Sequence, residues 1–373
     1  MKKIGLITIY HVPNFGSVLQ AYATQIVLEK MNMECHIINY EYPNEWHYSQ
    51  GTKKQNFKSR IGHLLGIHPL HRRDNKLDLF KKRHFNFTKK YRNIDELRNA
   101  DWNGYDILAV GSDQVWNSRF TLGDTVFMLS FAPEGMKRIA ISSSFATKSI
   151  PNEFTDRYKK HLSKFKAISV RESNGIEIIK EQLQLTIEPS IVLDPTLLLS
   201  KEEWLDTVGR TCHKKGKKYI LLYMLTYAFE PRPYIFNIIK ELQKKDDYEV
   251  LALEGYTTAE KADGIKMIDK SDSSIFDFIN LFANADIVVT SSFHGTAFAV
   301  NFGIPVISVV PDGNNDDRQS SLLRSLGLDK CIAINGSNNI NLEPGYDIAK
   351  TDEKIRKMRK ESLDWIYKNI FAE

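Results

Sequence analysis

Short runs of aliphatic and β-branched residues alternate along almost the whole chain with segments whose apolar positions recur every three or four residues. A first series of apolar runs comprises KIGLITIY (3–10), CHIINY (35–40), DILAVGS (106–112), RIAISSS (138–144) and AISV (167–170). A second comprises KYILLYML (218–225), YEVLALEG (248–255), ADIVVTSS (285–292) and PVISVV (305–310). Runs that are apolar on both faces predict strands buried between helices, as in a parallel sheet. Helical periodicity lies between them, at Ser17–Met31, Tyr234–Lys244 and Ser273–Ala283. In the last of these, Ile275, Phe278, Ile279 and Phe282 fall on one face. Strand and helix in alternation predict an α/β fold of two Rossmann-like, doubly wound domains facing a cleft.

The polar stretch GRTCHKKGKK (209–218) divides the two series. It predicts an N-terminal domain over 1–208 and a C-terminal domain over 209–350. The segment 351–373 reads as a closing helix, with Ile355, Met358, Leu363, Ile366 and Ile370 on one face, able to pack back onto the first domain. A chain of 373 residues exceeds what one core usually organises, so two domains also fit the length.

Composition adds two things. Cys35, Cys212 and Cys331 are scattered with no pairing or ligand spacing, which fits a reducing compartment. The apolar run after Lys2 and Lys3 is short and ends in His11 and Asn14, so it reads as a strand and not a signal peptide. No stretch reaches the roughly 18 apolar residues of a membrane span. A cytoplasmic protein is expected. Charge is concentrated: 13 Lys/Arg face only Asp74 and Asp78 between residues 53 and 92, a local balance of +11 in a chain of net charge +5. That segment is either a solvated helical insertion in the first domain or, with its phenylalanines, a peripheral contact with the inner face of a membrane or with a lipid-linked glycan. No nucleic-acid-binding module accompanies it, and His63, His68 and His71 lack the partners of a metal site.

The densest chemistry lies in ADIVVTSSFHGTAFAVNFGIPVIS (285–308), which reads as strand, turn, helix, glycine stop and strand. The turn holds Ser292, Phe293, His294 and Gly295 at a strand's carboxyl end, where open α/β sheets bind ligands and where the amide groups of a helix start attract anions. His294 is either an acid–base group or a structural turn histidine. In the first domain, Asn14 and Ser17 either cap the first helix or contact substrate. In GSDQVWN (111–117), Asp113 could orient a sugar hydroxyl, Gln114 and Asn117 could bind one, and Trp116 could stack on a sugar face; otherwise Asp113 caps a helix and Trp116 packs inward.

SSFHGTAFAVNFGIPVI, NFGSVLQAYA (14–23) and GSDQVWN together resemble the polysaccharide pyruvyl transferase family, over about Lys3 to Leu328. The resemblance implies a two-domain fold similar to GT-B glycosyltransferases, with the first domain on the acceptor side and the second on the donor side. It implies phosphoenolpyruvate as donor substrate and a free or lipid-linked glycan as acceptor, in cell-surface polysaccharide synthesis; no cofactor beyond that donor is expected, and no residues are assigned as metal ligands. The resemblance makes His294 the acid or base and Arg171, just after AISV, a ligand for a donor oxyanion; otherwise Arg171 pairs with nearby Glu172 or makes a helix-cap contact. From their positions in the two turns, Asp113 is a second catalytic candidate that could accept a hydroxyl proton, and Ser292, Gly295 and Thr296 are candidate donor ligands. The family's basic residue after the GIPVI strand is met here by a longer, more acidic stretch in which Arg318 is the available cation. Two other readings stay open: a GT-B glycosyltransferase using a nucleotide sugar, with Glu254 as the candidate to hold a ribose, and a non-catalytic glycan-binding protein.

Overall fold

The computed structural model describes residues 1–43, 69–207, 216–254, 262–313, 315–338 and 340–372. The predicted break at 209–218 therefore falls largely outside the described residues, as do residues 53–68 of the basic segment with His63 and His68.

The chain divides into two compact units. The first takes in residues from 1–56, 80–198 and 357–373, the second residues from 57–79 and 199–356. The division falls after Leu198, ahead of the polar stretch that was read as the boundary. The basic segment is split too: residues 69–79 of the helix Pro69–His84 belong to the second unit and 80–84 to the first. It is therefore not an insertion confined to the first domain, nor wholly helical, because Phe87–Tyr91 forms a strand. The closing helix Ile348–Phe371 is divided likewise. Its end is held in the first unit, where Lys2 and Lys137 donate to the Ile370 carbonyl and Ser362 Oγ accepts from the Leu193 amide at 3.1 Å.

Each unit is built on one wholly parallel sheet. In the first, β1 (Lys2–Ile7), β2 (Met33–Tyr40), β3 (Phe87–Tyr91), β4 (Ile107–Val110), β5 (Lys137–Ser143), β6 (Ala167–Val170) and β7 (Ser190–Ile191) lie in the order β3-β2-β1-β4-β5-β6-β7. In the second, β8 (Tyr219–Tyr223), β9 (Glu249–Ala252), β10 (Met267–Asp269), β11 (Ile287–Thr290), β12 (Val306–Val310) and β13 (Ile332–Ile334) lie in the order β10-β9-β8-β11-β12-β13. Both orders reverse direction once, between β1 and β4 and between β8 and β11. Ile4 pairs with Ile107 across the first reversal and Ile287 with Ile220 across the second. At such switch points the loops leaving two neighbouring strands diverge and leave a crevice at the carboxyl edge.

Burial explains the strands. The four residues of β4, β6 and β11 are all buried, as expected where helices cover both faces. Edge strand β3 instead exposes Lys89 and Lys90, charges that discourage pairing with another chain. In the second unit an aromatic group seats the helix Phe293–Phe302 on its neighbours. Phe278 lies 4.6 Å from Phe282, 5.3 Å from Phe298 and 5.6 Å from Tyr223, ring centre to centre, and Trp204 lies 5.2 Å from Phe298. Gly303 stops that helix in the left-handed conformation, at φ 69°. No helix among the described residues is long and apolar enough to cross a membrane.

Phe278 touches three of these rings. Phe278→Ala should therefore lower the second unit's stability by about 3–5 kcal/mol. Calorimetry should show the loss in that unit's transition, with the first unit's transition unmoved.

Candidate functional site

The first unit concentrates buried polar groups at the carboxyl edge of its sheet. Its turn after β1 ends in Asn14, whose side chain accepts from the amides of Gly16 (2.8 Å) and Ser17 (3.3 Å) and so caps the helix Phe15–Lys30. Ser17 sits in the first turn of that helix and donates its hydroxyl to Asp113 Oδ2 at 2.6 Å. Asp113 follows β4 in the left-handed region, at φ 69°, a conformation few residues other than glycine adopt without cost. Its other oxygen accepts from the Gln114 amide at 2.9 Å. The carboxylate is thus aimed by its backbone and fixed by two donors.

Behind it lies Arg171, just past β6, with a side chain wholly out of solvent. The guanidinium, expected to grip a donor oxyanion, is surrounded by carboxylates: Asp194 at 2.6 Å, Asp113 at 3.5 Å and Glu172 at 3.9 Å. Asp194 is satisfied in turn by Ser112 Oγ at 2.7 Å and by the amide and hydroxyl of Thr196 at 2.9 and 2.6 Å. Glu172 accepts from the amides of Phe145 and Ala146. Arg171 therefore holds the edge together and steadies Asp113 from behind.

Trp116 corrects an expectation. Its ring is fully buried, packs 5.0 Å from Phe145, and donates its N–H to the Phe127 carbonyl at 2.9 Å, so it offers no face to a sugar. Gln114 and Asn117 are bonded to each other at 2.7 Å, and Asn117 also accepts from the Arg119 amide. Glu172 is the partner expected for Arg171 if it paired within the chain, whereas Asp194 was not singled out from the sequence. The Asp-Pro-Thr triplet at 194–196 carried a signal, since Asp before Pro and Thr favours a side chain turned back on its own backbone.

In the second unit the same edge is built around Thr290, the last residue of β11. Its hydroxyl donates to the Tyr223 carbonyl at 2.6 Å and accepts from the Ser292 amide at 3.0 Å. Ser291 cross-links the exits of β8 and β11 through both backbone groups of Leu225. Ser292 caps the helix Phe293–Phe302 by accepting from the Gly295 amide at 3.3 Å. A methyl group on Gly295 would sit 2.3 Å from Thr290 Oγ1 and 3.1 Å from the Tyr223 ring. Glycine is thus needed for the helix to begin so close to the sheet. His294 lies in that first turn, buried, at the start of the helix.

The other residues expected to bind the donor are committed within the unit. Thr296 Oγ1 shares a 2.7 Å hydrogen bond with Ser308 Oγ, which also accepts from Gln319. Arg318 forms a two-pronged pair with Asp316, at 2.8 and 2.6 Å. Glu254, past β9, accepts from Arg73 Nη1 at 2.9 Å. Burial raises the Glu254 carboxyl above its ordinary range, against the opposing pull of Arg73. Burial, reinforced by Glu254, also raises the Tyr223 phenol well above its ordinary range, so that it stays a neutral hydroxyl.

Comparison with known proteins follows these observations. The family profile described as polysaccharide pyruvyl transferase matches residues 14–313, which include His294, Asp113 and Arg171. No curated protein matches the chain by sequence. Among solved structures, the UDP-GlcNAc 2-epimerase of Neisseria meningitidis bound to UDP-GlcNAc aligns at TM-score 0.51 and 11% identity, over 100% of this chain and 95% of that one. The UDP-GlcNAc 2-epimerase of Methanocaldococcus jannaschii aligns at 0.52 and 11%, over 96% and 92%. At such identity the likeness is one of fold: two parallel-sheet α/β domains of GT-B type.

Removing one partner of a buried pair leaves a charge without compensation. Asp194→Asn should therefore destabilise the first unit by about 3–5 kcal/mol. Urea unfolding should show it; an unchanged midpoint would mean that Arg171 does not depend on Asp194.

Proposed function

We propose that this chain, which belongs to the polysaccharide pyruvyl transferase family, transfers pyruvate from phosphoenolpyruvate to a pair of glycan hydroxyls, forming a ketal and releasing phosphate. The observation that carries the reading is His294, in the first turn of a capped helix at the switch point of the second sheet. Amide groups at a helix start favour an anion, and phosphoenolpyruvate brings both a phosphate and a carboxylate.

The chemistry matches these groups. An acid adds a proton to the methylene carbon of the donor and turns it into a methyl group, leaving C2 electron-poor. One sugar hydroxyl adds to C2 and loses its proton, phosphate leaves with the C2–O bond pair, and the second hydroxyl adds and loses its proton to close the ketal. His294 suits the proton delivery, because imidazole changes charge near neutral pH. Asp113, held by Ser17 and the Gln114 amide, suits the receipt of a hydroxyl proton. Arg171 serves by fixing Asp113, and the donor's negative charge falls to the positive end of the helix Phe293–Phe302. The acceptor is a glycan, free or lipid-linked, with Gln114 and Asn117 as candidate contacts.

A nucleotide-sugar glycosyltransferase would need a carboxylate to hold the ribose. Glu254 is instead paired with Arg73, which weighs against that alternative.

Calorimetry with phosphoenolpyruvate and with UDP-, GDP- and CMP-sugars separates the two. Phosphoenolpyruvate at about 100 times its dissociation constant should stabilise the fold by about 2.7 kcal/mol, and the nucleotide sugars should not. His294→Ala should lower turnover about a hundredfold or more while the protein stays folded. Binding of a nucleotide sugar alone would overturn the proposal.

A further inference from the structure

The second unit carries a groove that the proposed chemistry leaves unused. It has a volume of about 480 Å³, and its described lining lies wholly within that unit. Small-molecule sites span roughly 300–1,000 Å³. The floor is one face of β8 and β9, where Tyr219 stands beside Glu249 and Leu251 follows on the same side of its strand. One wall is the helix Ile275–Asn284. That helix packs Phe278 and Phe282 against the Tyr223 ring and turns Asp277 and Asn280, three residues apart, to the groove. Lys270 and Asp272, beyond β10, complete the lining, to which Ser292, His294 and Gly295 do not belong.

Three of these groups are uncommitted. Asn280 Oδ1 is buried and accepts no hydrogen bond. The Glu249 carboxylate and the Lys270 ammonium have no ion pair and no side-chain hydrogen bond among the described residues. The other acids differ, since Asp272 is paired with Arg72 at 3.1 Å and Asp277 accepts from Ser274 Oγ at 2.7 Å. Tyr219 donates its hydroxyl to the Leu281 carbonyl at 2.7 Å, which holds its ring in place.

This mixture selects among ligands. An anion is repelled by the three carboxylates and brings no proton to Asn280 Oδ1. A metal ion is repelled by Lys270 and brings it no acceptor. A sugar ring suits all three uncommitted groups at once, because each hydroxyl both donates and accepts. The Tyr219 ring and Leu251 offer apolar surface to its C–H bonds. A buried acceptor without a donor is costly, and a sugar hydroxyl removes that cost.

We propose that this groove is a second glycan site, which holds a short run of sugar residues of a polymeric acceptor away from the hydroxyls that react. That the glycan is the acceptor rests on the pyruvyl transfer reading; the preference of the groove for a polyol does not. Such a hold acts equally on ground state and transition state, so it lowers KM for long acceptors and leaves kcat as it is.

The test titrates the full chain, by saturation-transfer NMR, with glucose, galactose, mannose, N-acetylglucosamine, lactose, cellobiose and chitobiose. At least one should bind, with the same affinity whether or not phosphoenolpyruvate is present. Asn280→Leu removes the orphaned acceptor and keeps a side chain of similar shape. It should weaken the binding about tenfold, as should Glu249→Gln, each the cost of roughly one hydrogen bond. Glu249 is exposed, so its variant carries the test if Asn280→Leu fails to fold. No binding to the wild-type protein, or binding that both variants keep at full strength, would overturn the proposal. If the sugar binds through Asn280 and Glu249 while the wild-type protein neither binds nor consumes phosphoenolpyruvate, the groove stands and the pyruvyl reading falls.

Discussion

A guanidinium withdrawn from water must be met by carboxylates and hydrogen bonds, or it unfolds what surrounds it. Arg171 imposes that constraint on the first unit. Its ion pair with Asp194 ties the exit of β6 to the segment after β7, and Ser112 brings in the exit of β4. Asp113 is the outermost member of the set, and its left-handed backbone is tolerable because Ser17, Gln114 and Arg171 all hold its carboxylate. Asp113, the residue proposed to take a hydroxyl proton, is thus positioned by neighbours for which no such step is proposed.

The second unit reaches an equally rigid edge with little charge. Thr290 and Ser291 bond to β8 backbone and to the turn that follows β11, and glycine at 295 lets the helix begin against the Tyr223 ring. The aromatic group formed by Tyr223, Phe278, Phe282 and Phe298 supports it from below. In both units the strand order reverses at the place where these residues gather, so the topology chooses the location and the local polar network sets the angle of each side chain. Arg73 adds a long-range element, since a residue far away in the chain is drawn to this edge by Glu254.

Much of this was legible in the sequence because the central strands are fully buried and read as unbroken apolar runs. The strand–turn–helix around His294 stood out for a further reason, the left-handed stop at Gly303. The edge strands β3, β7, β10 and β13 escaped notice; they are short, and β3 carries two exposed lysines in what looked like helical, basic sequence. Trp116 misled because an indole in a polar motif suits a sugar face as well as a core, and only packing against Phe145 and Phe127 decides between them. Arg171 was found with neighbouring Glu172 as a possible partner, but Asp113 and Asp194 were not tied to it, since they come from distant stretches joined by strand order. Arg73 was hidden for the same reason, in a segment whose net charge invited a surface explanation.

The central claim, that this protein moves a pyruvyl group from phosphoenolpyruvate to a glycan, meets its most direct test in mass spectrometry of a glycan library incubated with protein and phosphoenolpyruvate, with released phosphate measured in parallel. The account predicts an acceptor that gains the mass of one pyruvate less one water, with one phosphate released for each ketal formed and neither product with His294→Ala. Transfer of a sugar from a nucleotide donor by the same protein, with phosphoenolpyruvate left intact, would contradict it.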